Sequence, residues 1–510
     1  MIFPTPEFTA FFVVVLWISW RLMPHPGRWK PFILAASYVF YGYADVRFTL
    51  LLAAMTAMNQ LFAVHLHRAT SQRASTWLIR GAVAGNLAVL GWFKYYGFFV
   101  SSVAATLNRI GLPVPLPILQ VALPVGVSFF TFQALSYVID VHRRVIQPAK
   151  PLDFAVYLAF FPHLMAEPIV QTREFLPQLA SPRDPRKVEL GRAVCLIVGG
   201  LFKKVVLADM LATRLVDPVF GSPSAHGATD VLLAVYAYGA QIYCDFSSYT
   251  DMATGLALLL GFQFPRNFNA PYTATSLQDF WRRWHMTLSR WLRDYLYIPL
   301  GGNRRGEWRT RLNLMLTMLL GGLWHGAAWN FVIWGGIHGT ALVVGHPRRA
   351  KAGPGPAAIP AAQPTPATRG APGSGTAVLE APPEPAPTEV REPPSRRARP
   401  LGPLLAWLVT QHVVLLAWVF FRAPDLHTVG ELAVSLWSGA PSTLASRTLL
   451  LAVLSAYAVQ WVPESWHERI RGTVDGWGTV RLALLLASAV LVATALMPRE
   501  GVAPFIYFRF

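Results

Sequence analysis

Long apolar runs separated by short polar connections dominate this chain. The runs are about 17 to 25 residues long, which is the length that a helix needs to cross a hydrocarbon core of roughly 30 Å. Because backbone groups in lipid find no water to bond, each crossing must be helical. We therefore predict an all-α multi-pass membrane protein, with about ten to twelve transmembrane helices and several interfacial or re-entrant helices around a central cavity.

The predicted spans occur throughout the chain. They cover residues 8–20, 31–43, 48–66, 77–100, 116–139, 193–211, 231–260, 404–421, 449–462 and 480–497. The stretch from 158 to 171 differs because Pro162 and Pro168 interrupt it, and a proline removes a helical hydrogen bond. Irregular backbone survives at membrane depth only beside protein or a water-filled cavity. We therefore predict a short re-entrant or interfacial piece there, with His163 and Glu167 facing water or protein.

Composition divides the chain into three parts. Residues 1–345 form the predicted membrane core, in which 265–345 holds the candidate chemistry. Residues 346–400 are rich in Pro, Ala, Gly and Arg and lack apolar periodicity, which is typical of a disordered insertion. Its Arg-rich ends predict a cytoplasmic location. Residues 401–510 return to apolar runs and are predicted to complete the core with further transmembrane helices.

Charge supports the membrane assignment. Of the 510 residues only 14% are charged and 54% are hydrophobic, whereas soluble domains have roughly 25% charged residues. The net charge of +18 comes from Lys and Arg in short connections, which argues against nucleic-acid binding and favours contacts with lipid headgroups. Every second connection is basic, which predicts an external N-terminus. Cys195 and Cys244 have neither metal-binding nor disulfide spacing, so we predict no metal site.

The stretch FWRRWHMTLSRWLRDYLYIPLGGNRRG, residues 280–306, combines aromatic and basic side chains. On a helix of about 3.6 residues per turn the two kinds fall on opposite faces. The apolar face holds Trp281, Trp284, Leu288, Trp291, Leu292 and Tyr295, and the basic face holds Arg282, Arg283, Arg290 and Arg293. This predicts an interfacial amphipathic helix whose arginines contact either anionic headgroups or the phosphates of a thioester carrier. His285 lies at the boundary between the faces, where it can turn inward.

A histidine lies inside the next apolar run, RTRLNLMLTMLLGGLWHGAAWNFVIWGGIHG. His325 is about 13 residues into this run, so we expect it near the middle of the membrane. Ionisable residues at that depth usually serve a function, although a histidine satisfied by an inter-helix hydrogen bond is the alternative. A neutral histidine suits the removal of a proton from a hydroxyl that attacks a thioester. His338, near the far end of the run, is expected to be structural.

Two carboxylates occur in YCDFSSYTDMATG, within the predicted span 231–260. Asp245 and Asp251 are six residues apart, so they do not share a helix face. We expect them to form ion pairs or hydrogen bonds with a neighbouring helix, through Arg282 or Arg283. The chain contains no GxSxG, P-loop or HExxH motif that would indicate other chemistry.

The motifs RNFNAPYTATSLQDFWRRWHMTLSRWLRDYLYIPLGGNRRG and GGLWHGAAWNFVIWGGIHG resemble the membrane-bound O-acyltransferase superfamily, within it the bacterial branch of alginate O-acetylation and teichoic acid D-alanylation. The likeness continues in LPVGVSFFTFQALSYVIDV, in DFSSYTDMATGLALLLGFQFPRNFN and in the terminal PFIYFRF, and so covers most of the chain except the insertion. The resemblance implies that His325 is the essential histidine of an LWHG motif and His285 a second histidine. Both would lie at a neck between a cytoplasmic and an external funnel.

The same resemblance suggests further site residues. We expect substrate or donor binding to involve Arg282, Arg283, Trp284, Arg293, Trp324, Asn330, Asn267 and Asn269. The chain departs from the family where it reads AEPIVQ, because Glu167 replaces a glycine and Gln171 lies near the place of an arginine. A carboxylate there changes the charge of the segment that would hold donor or acceptor.

The activity implied by the resemblance is acyl transfer, most simply of acetyl, across the cytoplasmic membrane of a bacterium. The donor would be acetyl-CoA or an acyl-carrier thioester, with no bound cofactor, and the acceptor a hydroxyl of an extracytoplasmic polysaccharide. An external serine-hydrolase-like (SGNH) acetyltransferase would complete the delivery. D-alanyl transfer, acylation of a lipid or small molecule, and a non-catalytic transporter or scaffold with the same fold are the alternatives.

Overall fold

The structure is a computed structural model that describes residues 3, 5–43, 45–112, 119, 122–164, 168–346 and 402–496. Within these ranges every regular element is a helix, as predicted. Glu167, the insertion after residue 346 and the terminal PFIYFRF, for which the sequence made predictions, lie outside the described residues.

Helices follow one another with short connections along the whole described chain. The first part contains α1 (Pro6–Leu22), α2 (Pro26–Gly42), α3 (Val46–Arg68), α4 (Gln72–Leu90), α5 (Tyr96–Arg109), α6 (Val127–His142), α7 (Pro151–Ala159), α8 (Phe161–Leu164), α9 (Thr172–Ala180), α10 (Leu190–Leu201), α11 (Asp209–Leu211), α12 (Asp217–Gly221) and α13 (Ala228–Leu259). The second part contains α14 (Leu277–Arg283), α15 (Met286–Leu292), α16 (Glu307–His325), α17 (Trp329–Val344), α18 (Pro403–Arg422), α19 (Leu426–Ser435), α20 (Arg447–Ala458), α21 (Glu464–Asp475) and α22 (Thr479–Leu496). Turns of π-helix occur at Gly91–Tyr95, Phe202–Ala208, Ala212–Val216 and Arg293–Tyr297.

Four described helices are long and apolar enough to cross a membrane. They are α3, the continuous 38-residue stretch Gln72–Arg109 that includes α4 and α5, α18 and α22. The chain is therefore a helical membrane protein. The total of about ten to twelve crossings stays a prediction.

One of the predicted spans is interrupted in the structure. In the span predicted at 116–139, α6 begins only at Val127, after Gly126 in the left-handed conformation with φ 78°. Glycine enters that conformation without a steric penalty, so it can begin a helix at a sharp turn. The span predicted at 193–211 is helical throughout, because the π turn Phe202–Ala208 joins α10 directly to α11. Apolar length alone did not predict the break at Gly126.

Helices α6 and α13 are largely buried. Nearly every side chain of α6 is buried, although the helix is strongly apolar and was predicted as part of a span. The 32-residue helix α13 packs against α10, α18 and α20. Both helices are therefore surrounded by protein rather than by lipid, and the elements that carry the candidate chemistry pack around them.

Buried ion pairs join α13 to the π turn after α10. Lys204 Nζ lies 2.8 Å from Asp245 Oδ1 and 2.8 Å from Asp209 Oδ1, and all three side chains are buried. Lys203 Nζ lies 2.7 Å from Asp251 Oδ2 in a more exposed position. The expectation that these aspartates bond a neighbouring helix is confirmed. The partner residues were wrong, because lysines of the preceding helix bind the carboxylates and Arg282 and Arg283 do not.

We expect Lys204→Met to lower the free energy of unfolding by about 3–5 kcal/mol, because it leaves the buried Asp209 and Asp245 without their shared cation. The matched variant Lys203→Met breaks a partly exposed pair and should cost about 1 kcal/mol or less. Thermal unfolding of the purified variants in detergent measures both effects. Equal midpoints for the two variants would contradict this account.

Candidate active site

His325 lies at the tip of a helical hairpin. Helix α16 ends at His325, Gly326 is extended with φ −156° and ψ 148°, and α17 begins at Trp329. The sequence predicted one apolar run with His325 near its middle, and the structure corrects this to two antiparallel helices joined by a short turn.

Glycines allow these two helices to approach closely. A Cβ atom at Gly322 would clash with the carbonyl of Phe331, and one at Gly335 would clash with the carbonyl of Met318. Small residues at an interface let helix backbones come into contact, which is the main way in which helices pack tightly in membranes. Packing of the α16 backbone against the α17 backbone therefore fixes the turn at Gly326 and the position of His325 before it.

His285 lies at a second break. The predicted amphipathic helix is divided into α14 and α15, and His285 between them is left-handed with φ 45° and ψ 53°. This conformation costs a residue with a side chain about 1–2 kcal/mol, and such strain is kept where surrounding contacts determine it, often at functional sites. The break turns the fully buried His285 ring inward. The sequence predicted an inward ring at the boundary of two helix faces, whereas the structure achieves it by a turn between two helices.

The loop before α14 provides the contacts that hold this turn. Asn267 Oδ1 accepts hydrogen bonds from the backbone N–H of Thr287 at 3.1 Å and from its hydroxyl at 2.9 Å. His285 Nδ1 lies 3.3 Å from the same oxygen. Because a backbone N–H can only donate, this Asn267 atom is an acceptor, so Nδ1 carries the proton. In the neutral ring the basic nitrogen is then Nε2.

The two histidines meet inside the protein. Their ring centroids are 6.5 Å apart with an angle of 58° between the planes, and their exposed fractions are 0% for His285 and 3% for His325. The resemblance paired these residues, which are 40 positions apart in the chain. The structure places the two histidine rings next to each other.

Aromatic rings surround His325. The centroids of Trp324 and Trp334 lie 5.0 Å from its ring, and that of Phe421 lies 5.3 Å away. These walls keep water from the imidazole, and a dry surrounding strengthens electrostatic interactions with a reacting group. His338 is buried farther along α17 against Trp334 and Trp281.

The predicted basic face is distributed over several elements. Arg283 pairs with Asp279 at 2.9 Å, Arg290 with Glu174 at 2.6 Å and Arg293 with Asp294 at 2.8 Å. Arg282 is exposed. The stretch therefore does not form one continuous cationic surface, and whether its arginines contact headgroups or donor phosphates stays a prediction.

The remaining predicted binding residues lie in different surroundings. Trp284 is buried between Phe280 and Trp418, and Asn330 donates from Nδ2 to the carbonyl of Ala423 at 2.8 Å. Asn269 contacts Arg283 through its backbone. Of the predicted set, the structure thus brings Trp324 and Asn267 into contact with the histidines.

Lys94 also reaches this site, and the sequence alone did not identify it as a site residue. Lys94 Nζ donates to the carbonyls of Trp324 at 2.5 Å and His325 at 3.0 Å. The hydroxyl of Tyr95 donates to the carbonyl of Leu323 at 2.9 Å. A lysine within the apolar run 77–100 was the available signal, because charged residues are rare at membrane depth.

The arrangement suits proton transfer to or from a bound hydroxyl. Each histidine offers a ring nitrogen that can act as a base near neutral pH, and the two rings are held by a strained turn and by a helix end. Among the described residues no group of three or more His, Cys, Asp or Glu side chains is placed to hold a metal ion.

Comparison with known proteins agrees with this chemistry. Residues 33–346 match the sequence model of the membrane-bound O-acyltransferase (MBOAT) family. A protein named probable alginate O-acetylase AlgI, from Azotobacter vinelandii, is 34% identical over 95% of both chains. A peptidoglycan O-acetyltransferase from Helicobacter pylori is 34% identical over 84% of this chain and 78% of its own. A teichoic acid D-alanyltransferase from Streptococcus thermophilus is 29% identical over 43% of this chain and 56% of its own. The chain is an acyltransferase and belongs to the membrane-bound O-acyltransferase family.

Proposed function

We propose that this protein moves an acetyl group from a cytoplasmic thioester to hydroxyls of a polysaccharide outside the membrane. The observation that carries the proposal is the pair of buried histidines, His285 and His325, with ring centroids 6.5 Å apart in a chain of this family. Similarity over 95% of both chains to a protein named an alginate O-acetylase supports acetyl as the acyl group. D-alanyl transfer has weaker support, since the teichoic acid enzyme matches only 43% of the chain.

His325 acts as the general base in the proposed reaction. Its imidazole takes the proton of the acceptor hydroxyl while the oxygen attacks the thioester carbon. The carbon–sulfur bond then breaks, the thiol leaves with a proton, and the acyl group becomes an ester. In the alternative route, His325 first forms a transient acyl-imidazole, and the overall reactants and products are the same. His285, held in one tautomer by Asn267, orients or assists.

The donor is proposed to be acetyl-CoA or an acyl-carrier thioester that reaches the histidines from the cytoplasm, and no resident cofactor is required. The acceptor is an extracytoplasmic hydroxyl. An external SGNH-type acetyltransferase is the proposed partner that delivers the acetyl group onto the polymer. The support for a polymeric acceptor is that all three compared relatives are named for polymers: alginate, peptidoglycan and teichoic acid.

The proposed location is the cytoplasmic membrane, with about ten to twelve crossings and an external N-terminus. The four candidate spans supply part of this number. Arg21 at the end of α1, and Arg68 at the end of α3, follow the alternation of basic connections expected for this orientation.

We expect His325→Phe to abolish acetylation, because the ring keeps its packing but loses its base. General-base catalysis contributes roughly 10²–10⁴-fold to rate. The measurement is ester-linked acetate released by mild alkali from envelope and secreted polysaccharide, in cells lacking the protein and in cells given back each variant at matched membrane levels. Wild type should restore acetate, and His325→Phe should match the empty vector.

The control for this experiment is His338→Phe, which makes the same exchange at a second fully buried histidine of the hairpin. Acetate near the wild-type level is expected. If His325→Phe restores acetate as well as wild type does, His325 is structural and is not the base of the reaction. If wild type itself restores none, acetyl or the acceptor is wrong, and D-alanine and lipid esters are measured next.

We expect Asn267→Leu to reduce acetylation by more than its loss of stability accounts for. The substitution leaves the Thr287 N–H and the His285 Nδ1–H without their shared acceptor, and each unpaired buried donor costs about 1–3 kcal/mol. The matched variant Asn86→Leu removes another buried amide, which bonds Asn59 between α3 and α4. Thermal unfolding and ester-linked acetate are measured for both. Parallel losses in the two variants would contradict a role for Asn267 in the site.

A further inference from the structure

Lys94 lies in an unusual place for a lysine. It occupies the π turn Gly91–Tyr95, inside the 38-residue apolar stretch Gln72–Arg109. A charged group at membrane depth is costly, so its partners indicate why it is there. Its described hydrogen-bond partners are neutral oxygens: the carbonyls of Trp324 and His325, and the hydroxyl of Ser128 at 3.3 Å. This differs from Lys203 and Lys204, which bind carboxylates.

The two carbonyls belong to the last turn of α16, where a helix has no N–H groups left to pair with its own oxygens. The same end carries the negative pole of the helix dipole, which a nearby cation stabilises. Tyr95 donates to the carbonyl of Leu323. Two consecutive side chains of one π turn therefore bind three consecutive carbonyls, and the last of them is the carbonyl of His325.

The geometry of the π turn makes this contact possible. A π turn adds one residue to a helical turn, and such turns are frequent at functional sites. Ser128 on α6 contributes the third oxygen, and the neighbouring Phe129 packs against Trp324 with a centroid distance of 5.4 Å. The three N–H groups of an ammonium match these three oxygens. The Lys94 Nζ atom therefore bonds both helix α6 and the C-terminal end of α16.

We propose that Lys94 is a positioning residue for acyl transfer, because its ammonium fixes the backbone of residues 324 and 325 and thereby directs the His325 imidazole. Lys94 does not act as a donor to substrate in this proposal, because its three N–H groups are used by protein oxygens. The proposal rests on the role of His325 proposed above.

Displacement of the His325 imidazole should slow the chemical step more than it weakens binding of the acyl donor. A small displacement of a catalytic group can reduce the rate about 10²-fold, whereas donor affinity depends on contacts elsewhere. Lys94→Met keeps the length and apolar stem of the side chain and removes the donors and the charge. Lys94→Arg keeps a charge and several donors. Tyr95→Phe is the matched control, because it removes one hydrogen bond from the same turn without touching residues 324 and 325.

The first test measures acetyl-CoA turnover by membranes containing each variant, per amount of folded protein. Lys94→Met should lower kcat at least tenfold with KM for acetyl-CoA unchanged, Lys94→Arg should recover part of kcat, and Tyr95→Phe should stay within a few-fold of wild type. A loss in Lys94→Met no larger than that in Tyr95→Phe overturns the proposal. A raised KM with unchanged kcat also overturns it, since Lys94 would then bind the donor.

A second test does not depend on the acyl group. Hydrogen–deuterium exchange of the full protein in detergent reports the order of the hairpin tip, residues 323–331. Faster exchange there in Lys94→Met than in wild type and Tyr95→Phe is expected, and unchanged exchange overturns the proposal. If wild type shows no acetyl-CoA turnover while exchange changes as expected, the proposed donor is wrong, whereas the ordering of the hairpin tip by Lys94 stands.

Discussion

The close contact between α16 and α17 is the constraint on which the site depends. Where two backbones touch at Gly322 and Gly335, the turn that joins them can take few conformations, and the carbonyls at the end of α16 must find donors inside the protein. Lys94 provides such donors from another helix to the carbonyls of Trp324 and His325. The orientation of His325 thus follows from two requirements, dense packing and the pairing of backbone oxygens.

The second histidine is fixed in a different way. Whereas His325 ends a helix, His285 occupies a strained left-handed position, and the hydrogen bonds of Asn267 with Thr287 stabilise the turn around it. Strain of this kind persists only when the surrounding contacts outweigh it. The two rings are therefore positioned independently. The loop before α14 positions His285, and the end of α16 in the hairpin positions His325.

The sequence predicted the helical membrane class and both histidines, because apolar length and the two motifs are local signals. It did not predict the breaks at His285 and Gly326. In both stretches the helical periodicity continues through the break. The backbone is turned by tertiary contacts that the periodicity does not reveal, such as those with Asn267 and Phe331. The partners of Asp245 and Asp251 were missed for the same reason, since basic residues on several elements could have met them. Lys94 was visible as a charge in an apolar run, but its target carbonyls were not.

The antiparallel course of α16 and α17 has a consequence for evolution. The hairpin runs from Glu307 to the site at its tip and then back, so Val344 lies near the start of α16. An insertion or deletion in the chain beyond α17 then leaves the tip and its histidine in place. Descendants of one ancestral enzyme can lengthen or shorten the chain after residue 346 by large steps, while single substitutions at Gly322 or Gly335 face strong selection.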